Sequence, residues 1–141
     1  MNKEIISKWD KNKNRLERFI RTNNMEDVGY KTLVSLIVEY VLNNPDDPDD
    51  WDNFDIEKIY AIDDGGYQGT LLFLIPKNMY QPSQYDYLVT YVNYGSCSGC
   101  DTLQAIQSYE YSDLPNDKQV KDYMQLCLHL TQNMKYLYEE R

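Results

Sequence analysis

The chain has 141 residues and a mass of 16.8 kDa, 42% of them hydrophobic, which is enough for one domain with a core of its own and argues against a disordered chain. Its net charge of −9 and pI of about 4.5 argue against nucleic acid or anionic lipid as direct ligands. No apolar run approaches membrane-spanning length, and the opening MNKEIISKWDKNK lacks the hydrophobic centre of a signal peptide, so a cytoplasmic location is expected.

The charge is unevenly spread. Residues 1–22 hold seven Lys or Arg against three acids, for +4, while the rest of the chain holds seven against twenty, for −13. Tyrosine is also in surplus, with 14 Tyr beside 3 Phe and 2 Trp. Tyrosine gives broad contact area at low entropic cost and is frequent at protein interfaces, although it also caps cores with its hydroxyl in water. Three cysteines, an odd number, fit reduced thiols better than a secreted disulfide framework.

Ile5, Trp9, Leu16, Phe19 and Ile20 recur at helical spacing, with Lys8, Lys11, Arg15 and Arg18 elsewhere. The spacing predicts a basic amphipathic helix within residues 1–22, with Trp9, Leu16 and Phe19 buried against the rest of the chain. Tyr30, Leu33, Val34, Ile37, Val38 and Val41 predict a second, more apolar and central helix that stops at Asn43-Asn44-Pro45. PDDPDDWDNFD follows. Its acids do not have the spacing, central Gly and terminal Glu of a calcium-binding EF-hand loop. Two readings stand for it: a solvated acidic connector, or a partner-binding patch. In the second, Asp46, Asp47, Asp49, Asp50 and Asp52 supply charge, and Trp51 and Phe54 are aromatic anchors.

IEKIYAI (56–62) and GTLLFLI (69–75) flank Asp63-Asp64-Gly65-Gly66, a hairpin signal, and the run from Tyr85 to Val92 adds a third strand. Ser98 and Asp101 then form a capping-box pattern ahead of Leu103, Ala105 and Ile106. A last helix opens at Pro115-Asn116-Asp117. Val120, Tyr123, Met124, Cys127, Thr131, Met134 and Tyr138 mark its inner face, and His129 lies off it. The expected fold is therefore α+β: a small, mostly antiparallel sheet of about three strands packed with about four helices, in a single domain over residues 1–141.

Cys97-Ser98-Gly99-Cys100 puts chemically capable residues at the strand-to-helix junction. A redox dithiol would gain thiolate character there from the helix dipole, but the turn comes late and no later strand offers the proline that thioredoxins place opposite it. Zinc at Cys97 and Cys100 would need further ligands. Cys127 and His129, two apart on a predicted helix, do not easily face one metal, and a homodimer sharing four cysteines is one way to complete the site. The third reading is a tight Gly/Ser turn with small thiols packed beneath it. No phosphate-binding glycine loop, nucleophile elbow or zinc-protease helix motif is present. The balance favours a non-enzymatic binder without a cofactor, and leaves redox or zinc chemistry at Cys97 and Cys100 as the alternative.

With Asp63-Asp64-Gly65-Gly66-Tyr67-Gln68-Gly69-Thr70 and then Gly95-Ser96-Cys97-Ser98-Gly99-Cys100-Asp101-Thr102-Leu103, the chain resembles small acidic proteins encoded by phages and prophages over residues 56–138. Those proteins share a YQGT…GSCSGCDTL arrangement followed by a C-terminal helix. The resemblance carries no assigned activity and transfers no functional residues. It implies a gene product acting in the cytoplasm of an infected bacterial host cell. It further implies binding to and inhibition of a host protein with a basic surface, such as a defence nuclease, in the manner of an anti-CRISPR or similar anti-defence protein that mimics nucleic acid.

Overall fold

The computed structural model describes residues 2–66, 68–96, 101–107 and 113–138. Helix α1 (Lys3–Thr22) starts where the Asn2 side chain accepts the Ile5 amide at 3.1 Å. It ends where Asn23 Nδ2 donates back to the Phe19 carbonyl at 2.8 Å. Ile5, Trp9, Leu16 and Ile20 are buried, each contributing about 1.5–3 kcal/mol through removal from water. Phe19 departs from expectation. It is only half-buried, because its ring lies at the edge of the stripe against Tyr40, 5.1 Å between centroids.

Helix α2 (Tyr30–Ile37) is followed by a π-helical turn, Val38–Leu42, and all six apolar positions read for this segment are buried. It is the central helix. Helix α1 packs on the π turn and on helix α4 (Asp117–Gln132). Asn116 and Gln119 cap α4 reciprocally, at 2.8 and 3.0 Å.

The sheet is antiparallel, with strands β1 (Tyr60–Asp63), β2 (Gly69–Pro76), β3 (Tyr87–Tyr94) and β4 (Lys135–Tyr136) in that spatial order. The expected strand over 56–62 is thus shorter. Ile56–Lys58 forms a 3-10 turn because the Asp55 carboxylate accepts the Glu57 amide at 3.0 Å. At the β1–β2 turn, a Cβ on Gly65 would run into the backbone of Gln68 and Gly69, so only glycine fits.

Four strands rather than three result from the end of α4. The expected helix to Tyr138 stops at Gln132, where the Asn133 amide bonds the His129 carbonyl at 3.1 Å. Met134 and Tyr136 suit a period of two as well as a helical face. Pairing Lys135 and Tyr136 with Val89 and Leu88 also satisfies backbone groups that β3 would otherwise leave open at its edge. Helix α3 (Thr102–Gln107) lies between β3 and α4 in sequence and packs on α4.

Candidate interaction surfaces

The acidic segment is built on two asparagines. The Asn43 carboxamide bonds both backbone groups of Phe54, while buried Asn53 accepts the Asn44 amide at 2.7 Å and donates to the Asp47 carbonyl at 2.9 Å. Asp47 and Asp50 use a carboxylate oxygen to hold the amides of Asp49 (3.2 Å) and Asp52 (2.9 Å), which makes consecutive Asx turns. Asp46, Asp47, Asp49 and Asp52 point to solvent, Asp50 is half-buried, and Trp51 is 77% exposed.

Phe54 is a correction. At 5% exposure it belongs to the core, bridging antiparallel to Lys77 at the end of β2, so it cannot anchor a partner. Asn53 beside it is buried too, its side chain turned inward to hold the loop.

Across a cleft of about 560 Å³ the loop faces Lys8, Lys11 and Arg15 of α1. Arg15 lies over the Tyr40 ring at 5.8 Å, and its Nη1 is buried without a hydrogen-bond partner. Burial raises the Tyr40 phenol pKa. Asp52, which also lines the cleft, pairs with Lys77 at 3.5 Å. Lys8, Lys11 and Arg15, with Glu4 on the same wall, thus set a net positive charge against the loop's carboxylates across the cleft.

The second surface is the outer face of the sheet. Thr90 Oγ1 donates to the Leu130 carbonyl at 2.6 Å, so the parity of Thr90 faces α4. Phe73, Ile75 and Leu88 share that parity and are fully buried. The opposite parity places Tyr60, Leu74, Val89 and Lys135 in one cross-strand row, and Ile62, Leu72 and Tyr91 in the next. Val89 is buried yet stands apart from the core cluster, as its parity requires. Tyr60, Ile62 and Tyr91 remain 64%, 42% and 46% exposed, so no described element covers them. Alternating sheets ordinarily turn polar residues outward; here Lys135 and the Thr70–Asn93 pair do so, while the two rows between are mostly apolar.

A third cluster joins β3, α2 and α3. Buried Asp101 accepts the Tyr30 hydroxyl at 2.8 Å, the Gly95 amide at 3.0 Å and the Gln104 amide at 3.1 Å. Burial raises the Tyr30 phenol pKa. Asp101 was expected inside the first helical turn, opposite Ser98. It is instead the N-cap itself, since the helix begins one residue later and its side chain reaches the Gln104 amide. Cys97, Ser98 and Cys100 lie outside the described residues, and with them the redox, zinc and buried-turn readings. Cys127 is fully buried in α4, and burial alone pushes its thiol up to about 12. His129 is exposed. Among the described residues no group of three or more His, Cys, Asp or Glu could hold a metal, and no helix is long and apolar enough to cross a membrane.

No protein-family model, curated protein or solved structure matches the chain. Sequence reasoning found the acidic loop but missed the asparagine clamps and the apolar outer face. Asn43 reads as part of a helix stop, and Asn53 carries no signal of its own in the sequence. The outer face was legible in principle, because GTLLFLI is apolar at both parities.

Proposed function

We propose that this chain is a non-enzymatic protein that binds and inhibits a host protein through the acidic loop, the target being a basic surface that otherwise handles nucleic acid. One observation carries the reading. Trp51 stands out in solvent on a backbone held by Asn43 and Asn53, in the same loop as the exposed Asp46, Asp47, Asp49 and Asp52. A large exposed aromatic on a pre-ordered loop loses little conformational freedom on binding, which is how hot-spot anchors gain affinity. The loop's exposed carboxylates would steer a cationic partner into contact and raise the association rate. The resemblance to small acidic phage proteins points to defence nucleases as the class of target.

The test is capture of a partner from bacterial lysate, followed by binding kinetics at low and high salt. Asn in place of Asp46, Asp47, Asp49 and Asp52 should slow association, and Trp51→Ala should mainly speed dissociation. Association should weaken as salt rises, since screening shortens the attraction to about 10 Å near 0.1 M. A partner indifferent to salt and to all these substitutions would leave the loop a solvated connector.

A further inference from the structure

The basic face of α1 carries an inference independent of the acidic loop. Arg15, Arg18, Phe19 and Thr22 line a cavity of about 250 Å³ together with Tyr40, which comes from the π-helical turn. We propose that this cavity is a binding site for a small aromatic phosphate, with Arg15 and Arg18 holding the phosphate and Phe19 and Tyr40 holding the ring.

Charge selects the anion. The chain holds 23 acids against 14 Lys and Arg, yet among the described residues neither Arg15 nor Arg18 makes an ion pair. Arg21 on the same helix takes two carboxylates, Glu17 at 3.5 Å and Asp117 at 2.6 Å, and so engages the one acid that lies between Arg15 and Arg18 in sequence. No acid lines the cavity. Arg15 Nη1 is buried without a hydrogen-bond partner, so the fold has taken water from this cation and supplied no acceptor. Thr22 Oγ1 already donates to the Arg18 carbonyl at 2.8 Å, which leaves the two guanidiniums as the donors for an anion. Two guanidinium forks match a dianionic phosphate better than a singly charged carboxylate.

The aromatic half rests on Phe19 and Tyr40. Both are half-buried, with ring centroids 5.1 Å apart, so ring surface stays open beside the cations. Arg15 already stacks over Tyr40 at 5.8 Å, and the turn that carries Tyr40 is of a rare kind that recurs at functional sites. Size limits the ligand. The cavity admits one ring with one phosphate rather than a polyanion strand, which the net charge of −9 would repel.

The test is NMR titration of the isotope-labelled full chain with phenyl phosphate at about pH 7, where the phosphate is largely a dianion. Saturating shifts are expected at the Arg15 and Arg18 side chains and at Phe19, Thr22 and Tyr40, with a Kd of about 1 mM for so small a probe. Inorganic phosphate lacks the ring and benzoate lacks the second charge, so each should bind several-fold more weakly. Arg15→Gln and Arg18→Gln should each weaken binding by about tenfold or more. Arg18 is exposed, so its variant should keep the wild-type spectrum elsewhere and isolates binding from folding. Lys8→Gln and Lys11→Gln, on the same helix but outside the cavity, should change the affinity by no more than about twofold. Trp51→Ala should bind as the wild type does, so failure of this proposal and failure of the acidic-loop reading are told apart. The absence of saturable shifts up to about 10 mM probe would overturn the proposal. So would indifference to both Arg substitutions, equal loss in the Lys variants, or inorganic phosphate binding as well as phenyl phosphate.

Discussion

The side chain of Asn43 is paired with the backbone of Phe54 as a neighbouring strand would be. Its Oδ1 accepts the Phe54 amide at 2.8 Å and its Nδ2 donates to the Phe54 carbonyl at 3.0 Å. The acidic loop leaves and rejoins the fold through this pair. Asn43→Ala strands two partly buried backbone groups and should cost about 1–3 kcal/mol. Asn43→Asp keeps the acceptor, loses the donor and should fall between. Urea unfolding of the three proteins measures this, and an unchanged midpoint for Asn43→Ala would show that the clamp does not hold the loop.

Trp51 and Phe54, three residues apart, should behave oppositely. Phe54→Ala removes a core ring and should destabilise by about 3–5 kcal/mol. Trp51→Ala removes an exposed one and should shift stability by no more than about 0.5 kcal/mol. Thermal unfolding separates them. A Trp51→Ala variant as unstable as Phe54→Ala would mean that Trp51 packs on the fold rather than waiting for a partner.

Tyr30→Phe tests the Asp101 cluster. The hydroxyl donates to Asp101 at 2.8 Å and accepts the Leu103 amide at 3.2 Å, so its loss leaves a buried carboxylate with one partner fewer. A destabilisation of about 1–3 kcal/mol is expected. Hydrogen exchange should localise the loosening to the Gly95, Leu103 and Gln104 amides. Exchange unchanged at those amides would exclude this bond as what holds α3 to β3 and α2.

Periodicity carried most of the fold. The stripes of α1, α2 and α4 and the hairpin at Gly65 are local signals, each decided within a few residues. What escaped was decided at a distance. Whether Lys135 and Tyr136 continue a helix or join β3 depends on an open edge formed by residues more than forty positions earlier. Whether Asp101 caps α3 depends on Tyr30, 71 positions away. Phe54 reads with Trp51 because sequence proximity stands in for side-chain direction, and its direction is set by Asn43 and Lys77, eleven and twenty-three positions away. The apolar outer face escaped for another reason. A strand apolar at both parities reads as central and covered, and only the register shows that, among the described residues, Tyr60, Ile62 and Tyr91 on one parity are left exposed.

Alkaline pH should weaken the protein, beginning with Cys127. Burial pushes this thiol up to about 12, above an unfolded value of about 8.5. A group whose neutral form is held in the fold stabilises fully below its unfolded pKa, and loses that contribution as pH rises toward the folded one. Stability should therefore be level up to about pH 8 and then fall by at most about 1.4 kcal/mol per pH unit for this one proton. Tyr30, Tyr123 and Tyr136, all raised chiefly by burial, should steepen the fall above about pH 10. Urea midpoints at successive pH values give the slope. Cys127→Ala should start lower at neutral pH, because it opens a small cavity, yet decline less between about pH 8.5 and 10. In a Cys97→Ser, Cys100→Ser background, Cys127 should resist a thiol reagent at pH 8 until denaturant is added, since the thiolate is the reactive form. Fast labelling of the native protein, or equal slopes with and without Cys127, would mean that the thiol is not sealed in the core.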